Sequence, residues 1–142
     1  MKPARILIIN DEPSLREFFR FNLEIRGYEV LESAGSPMAL EIFRKEKPDA
    51  VILDLRIAGT DGFDLCQCLC EKDDCSVIVF NMRGGESDLL KCLKMGVGDY
   101  LCKPFGVDEF LARTRAVLRY KNKAMVRDSS QKVPNRNELS KI

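Results

Sequence analysis

The chain has 142 residues, 45% hydrophobic and 32% charged, with a formal charge of +1 and no histidine. That length suits one domain burying roughly 70% of the surface its unfolded chain exposes, and the composition excludes collagen-like, low-complexity and disordered classes. The missing histidines exclude Ser-His and Cys-His nucleophile pairs and the commonest metal ligand.

Ile6-Leu7-Ile8-Ile9 is short, apolar on both faces and β-branched, the pattern of a strand buried inside a parallel sheet. It runs into the acidic loop Asn10-Asp11-Glu12. Pro13 then suits a first helical turn, and Leu15, Phe18, Phe19 and Leu23 recur at helical spacing up to the stop at Gly27. Tyr28 to Glu32 predicts a second strand, and Ser36-Pro37 opens a helix with Met38, Ala39, Leu40, Ile42 and Phe43 inward, closed by Pro48. Ala50 to Leu53 predicts a third strand, halted by Asp54; Gly59, Asp61 and Gly62 mark the loop before a helix over Phe63 to Glu71. Val77 to Phe80 is the fourth strand, followed by Asn81-Met82-Arg83-Gly84-Gly85 and a helix over Ser87 to Met95 with Leu89, Leu90 and Leu93 inward. Tyr100-Leu101-Cys102 is the fifth strand, running into Lys103-Pro104-Phe105, and the last helix covers about Val107 to Lys121. Five strands alternating with five helices predict a doubly wound α/β fold, a parallel sheet covered on both faces.

Past Lys123 the apolar period fails. Residues 1–123 therefore form the expected domain, and 124–142 a basic polar tail or linker. Charge divides the same way. From Arg113 onward nine basic residues face two acidic ones, whereas the first 112 residues hold 14 basic and 20 acidic. The tail lacks aromatic interleaving and a recognition helix, so a solvated linker is favoured over a nucleic-acid arm. The six cysteines form no CxxC pair and no export signal precedes them, so a cytoplasmic location with reduced thiols packed as small hydrophobes is expected. No apolar stretch is long enough to span a membrane.

In an open parallel sheet, ligands bind outside the carboxyl ends of the strands where strand order reverses. This sequence puts Asn10, Asp11 and Glu12 there after the first strand, Asp54 after the third, Asn81 and Met82 after the fourth, and Lys103 after the fifth. Asp11 and Asp54 could share Mg²⁺, a hard ion that takes one or two carboxylates plus waters and phosphate oxygens. Lys103 adds a positive charge for a phosphoryl oxygen, and a cis bond to Pro104 would set its direction. For either aspartate alone, a helix N-cap is the plainer reading. Four polar strand ends on one rim argue against it.

Four stretches carry a family resemblance: Asn10-Asp11-Glu12, Val51-Ile52-Leu53-Asp54-Leu55, Gly59-Thr60-Asp61-Gly62-Phe63, and Gly96 through Phe105. In this order and spacing the chain, over roughly residues 4 to 121, resembles the receiver domain of two-component response regulators. The resemblance implies a flavodoxin-like (βα)5 fold with strand order 2-1-3-4-5. It implies that Asp54 accepts a phosphoryl group from a sensor histidine kinase, that Asp11, Asp54 and the backbone carbonyl of Arg56 hold Mg²⁺, and that Lys103 contacts the phosphoryl. Tyr100 would be the switch aromatic, coupled to Asn81, on the face built from the fourth helix, fifth strand and fifth helix. That face would control a partner or output domain. Gly106 through Arg115 resembles the subfamily that carries a winged-helix DNA-binding domain and dimerises through it, with Asp99 and Arg113 keeping one charge pair of the interface. Such an output domain would need ~100 residues beyond this chain.

Departures from the family pattern cluster at the site. Asn10 stands where a carboxylate is usual, which weakens its share in Mg²⁺ binding. Asn81 replaces Ser or Thr, offering an amide to the phosphoryl but no hydroxyl, and Met82 replaces a small residue. Ala58 replaces a proline. Arg56 is expected to pair with Glu12 or Asp11, or to stand in solvent. On the dimer face, Gly98 lacks an acid and Lys94 and Arg115 are both positive, which predicts a weaker or rearranged dimer. An alternative therefore stands beside the phosphorylated receiver: a pseudo-receiver, the same fold used as a binding module. An enzymatic reading fares worse, since an aspartyl phosphatase wants an acid where Arg56 stands.

Overall fold

The computed structural model describes residues 2–57, 62–71, 76–81, 85–102 and 105–126, side chains of 121–126 excepted. Ten elements alternate: β1 (Arg5–Ile9), α1 (Pro13–Glu24), β2 (Glu29–Ser33), α2 (Met38–Glu46), β3 (Ala50–Asp54), α3 (Gly62–Cys70), β4 (Ser76–Asn81), α4 (Glu86–Lys94), β5 (Asp99–Cys102) and α5 (Val107–Val126). All strand pairs are parallel, in the order β2-β1-β3-β4-β5. The order reverses between β1 and β3, where the acidic loop and Asp54 leave the sheet.

The expected strand cores are strands: four are extended by one or two residues and the second is shifted by one, to Glu29–Ser33. Met38 and Leu90, expected inward, are exposed instead, Met38 at the first residue of α2 and Leu90 turned from the face that buries Leu89 and Leu93. The apolar runs are buried on both sides because successive side chains point to opposite faces. Leu7, Ile9, Val51, Leu53, Val77 and Val79 pack under α2, α3 and α4 with Phe43, Leu65 and Cys92. Ile6, Ile8, Ile52, Ile78 and Phe80 pack under α1 and α5 with Phe19, Leu23, Phe110 and Leu118. Phe19 centres the second layer, its ring 4.8 Å from Phe110 and 5.4 Å from Phe80.

The alternation decides which way the strand ends face. Asp54 follows Ile52 by two positions and shares its side of the sheet, towards α1 and α5. Asn81 follows Val79 and faces α3 and α4.

Two glycines meet backbone demands. Gly27, at φ 91°, ends the turn after α1. Gly62 opens α3 so close to β3 that a Cβ there would stand 1.9 Å from the Leu55 carbonyl oxygen. The last helix is longer than the sequence pattern indicates, running to Val126 rather than stopping near Lys121. Lys123, Ala124 and Met125 are good helix formers and need no buried face to prolong it.

Candidate functional site

Asp54 is the last residue of β3 and is 6% exposed. Its Oδ1 accepts the backbone N–H of Arg56 at 2.9 Å. Burial pushes its carboxyl above the usual range; the Arg56 N–H pulls it back, and the charges of Asp11 and Glu12 push it up again. The pocket is thus crowded with negative charge around a largely desolvated carboxylate.

Asn10 follows β1 and pairs its backbone N–H with the Ser33 carbonyl at 3.0 Å. Its side chain is 1% exposed, and its Oδ1 accepts the Glu12 N–H at 2.8 Å. Its Nδ2 is buried with no hydrogen-bond partner among the described residues. Arg16 braces the loop by donating to the Asn10 carbonyl at 2.7 Å. Asp11 and Glu12 are exposed at the rim.

A divalent cation suits part of this donor set. The carboxylates of Asp11 and Asp54 and the carbonyl of Arg56 are hard oxygens, and the like charges that raise the Asp54 carboxyl are what a cation would relieve. Among the described residues, no group of three or more acids and cysteines could hold a metal ion unaided. Mg²⁺ does not ask for one, since it keeps several waters. Asn10 fits poorly: its oxygen is committed to Glu12, and an amide NH₂ has no lone pair to offer a metal.

Asn81, at the end of β4, is fully buried. Its Nδ2 donates to the Tyr100 hydroxyl at 2.8 Å and to Asp88 Oδ2 at 3.1 Å, so both amide hydrogens are engaged. Tyr100 lies inward, 9% exposed, within the α2, α3 and α4 layer. Burial pushes its hydroxyl up to about 12, against the pull of the Asn81 hydrogen bond.

Arg56 does not pair with Glu12 or Asp11. Its guanidinium instead meets Asp88 of α4 at 2.7 Å, in a pair exposed on the arginine side. The pairing expectation fails because the chain turns after Leu55 and sends the long side chain towards the α4 N-terminus. Asp88 went unnoticed in the sequence because an acid in a first helical turn reads as a partner for the helix dipole. Within the chain, Arg113 donates to both carboxylate oxygens of Asp99, at 3.0 and 3.1 Å. Lys103, Pro104, Met82 and Ala58 lie outside the described residues.

Comparison with known proteins agrees with this arrangement. A profile described as the response regulator receiver domain matches residues 6–115. A probable transcriptional regulator, ycf27, from Porphyridium aerugineum is 38% identical over 135 residues, 95% of this chain and 55% of the relative. The transcriptional regulatory protein KdpE of Mycobacterium tuberculosis is 41% identical over 114 residues, 80% of this chain and 50% of the relative. The chain therefore spans about half the length of the curated relatives it matches. Among solved structures, the BeF3-activated N-terminal receiver domain of Klebsiella pneumoniae RstA superposes with a TM-score of 0.77 at 28% identity, covering 82% of this chain and 99% of that one.

Proposed function

The chain belongs to the response regulator receiver domain family, and on that premise we propose that Asp54 accepts a phosphoryl group from the phosphohistidine of a sensor kinase. The observation that carries the proposal is the state of Asp54 itself: buried at a strand end, one oxygen fixed by the Arg56 N–H, the other left as the nucleophile. In the transfer the kinase's N–P bond breaks and an O–P bond to Asp54 forms. The histidine is the partner's, so a chain with none can still take part.

Phosphoryl transfer asks the acceptor mainly for position and charge neutralisation. Asp11, Asp54 and the carbonyl of Arg56 would hold Mg²⁺, which when bound supplies that neutralisation. Lys103, directly after β5 in sequence, would contact the phosphoryl. Asn81 and Tyr100 form the switch on the face of α4, β5 and α5, through which a second copy or an output domain would be engaged. The relatives are named transcriptional regulators and are about twice as long as the region matched, so a DNA-binding domain would be the natural output. The described helices include none long and apolar enough to cross a membrane, and the proposed setting is the cytoplasm.

One observation favours a second reading. Asn81 has both amide hydrogens engaged by Asp88 and Tyr100, and Asn10 brings no charge to the strand-end carboxylates. A receiver built this way could serve as a binding module without phosphorylation. Incubation with Mg²⁺ and acetyl phosphate separates the two: the first expects a phosphoryl mass gain abolished by Asp54→Ala, and an unchanged mass would leave the second.

A further inference from the structure

Three of the six cysteines meet where α3 lies beside α4. Cys66 and Cys70 are four residues apart, hence on one helix face, with Sγ atoms 4.0 Å apart. Cys92 of α4 is buried in the same apolar layer as Cys66, and the two thiols bias each other's protonation. Cys66 is the middle of a row of three. The row has an inner and an outer end: Cys66 and Cys92 are fully buried, whereas Cys70 is partly exposed.

Packing alone does not ask for such a row, since a buried cysteine acts as a small hydrophobe and any small apolar residue would fill the space. Touching thiols that reach solvent at one end have a chemistry that isolated ones lack. Cys66 keeps its proton and shares it with its neighbours, and this hydrogen bond draws the Cys70 thiol down towards the thiolate, the form that reacts.

We propose that the row Cys70-Cys66-Cys92 is an oxidation site that reduces a hydroperoxide and closes a disulfide between α3 and α4. The Cys70 thiolate attacks the peroxide oxygen. The O–O bond breaks, Cys70 becomes a sulfenic acid, and the remainder leaves as alcohol or water after taking a proton. Cys66 sulfur then attacks Cys70 sulfur; the S–O bond breaks, and water departs with the Cys66 proton. The resulting bond is strained, because side chains four apart on a helix hold their Cβ atoms about 5–6 Å apart, beyond the ~3.8 Å a disulfide prefers. Cys92 relieves it by attacking Cys66 sulfur, and Cys70 is released as a thiol carrying the Cys92 proton. The net change is two thiols oxidised by two electrons and one peroxide reduced to alcohol and water. Cys92 stands one turn beyond Asp88 on α4, so the bond would fix the helix that carries the Arg56 and Asn81 contacts. None of this depends on phosphorylation at Asp54.

The test uses the full chain with Cys68, Cys75 and Cys102 changed to Ser. Hydrogen peroxide is added, and the non-reduced digest is read by mass spectrometry with fragmentation. The expected product joins Cys66 to Cys92, is lighter by two hydrogens and reverts with dithiothreitol. Cys70→Ser, checked for folding by its melting curve, should slow that product roughly tenfold. Cys92→Ala should stop at the strained Cys66–Cys70 bond, which dithiothreitol should reduce faster than the Cys66–Cys92 bond. Three thiols still free after the exposed Cys68 and Cys102 of the natural chain have oxidised would overturn the proposal. So would a Cys66–Cys92 bond forming equally fast in Cys70→Ser.

Discussion

The amide of Asn81 holds the hydroxyl of Tyr100 at 2.8 Å inside the protein. The same nitrogen also holds Asp88, so one side chain ties the end of β4 to β5 and to α4. Asn81→Ala strips a buried hydroxyl and a carboxylate of one donor together, a loss of ~1–3 kcal/mol. Urea unfolding should show it. The chain has no tryptophan and three tyrosines, so tyrosine emission in the folded variant should report a changed Tyr100 environment.

Asp54 is a charge the fold would rather not carry. Its carboxyl is raised from the ordinary 3.8, so folding makes ionisation harder, and the ionised form costs stability at neutral pH. Without Mg²⁺, Asp54→Asn should therefore melt higher than the natural chain at pH 7. The gap should close as pH falls through the raised value towards 3.8, because the natural carboxyl is then neutral too. Melting curves across that range check both the sign and the window.

Asn10→Asp adds a carboxylate beside Asp54 in place of an amide whose Nδ2 has no partner among the described residues. Mg²⁺ affinity should rise about tenfold, equivalent to ~1.4 kcal/mol, measured by calorimetric titration. The metal-free variant should be less stable than the natural chain, since the new charge adds to the repulsion already acting on Asp54.

Gly62→Ala places a methyl 1.9 Å from a backbone oxygen that has no flexible way to retreat. Either α3 or the Leu55 turn must move, at a cost of roughly 2–4 kcal/mol. Leu55 adjoins Asp54, so acetyl-phosphate labelling of the folded fraction should slow as well.

The sheet was legible because Ile6 to Ile9, Ala50 to Leu53 and Val77 to Phe80 are buried on both faces, and no solvent-facing pattern competes with that signal. Strand ends were legible for the same reason, since a buried run that stops at Asn10, Asp54 or Asn81 marks the rim. What the sequence hid was direction. Arg56 and Asp88 are 32 positions apart, and nothing local says that the arginine turns towards α4 rather than towards the acidic loop. The intrachain pair of Asp99 and Arg113 was hidden too, since it depends on how α5 packs on β5. The Cys66 and Cys70 spacing was visible on a helix, but Cys92 joins them only once α3 and α4 lie side by side.

Alternation along β3 and β4 makes the sheet a partition: the Asp54 carboxylate lies on one side, and the Asn81, Tyr100 and Asp88 contacts on the other. News of a change at Asp54 has to travel around the edge. Arg56 spans it, its N–H on the Asp54 oxygen and its guanidinium on α4, so a two-residue lever joins the chemistry to the helix that would announce it.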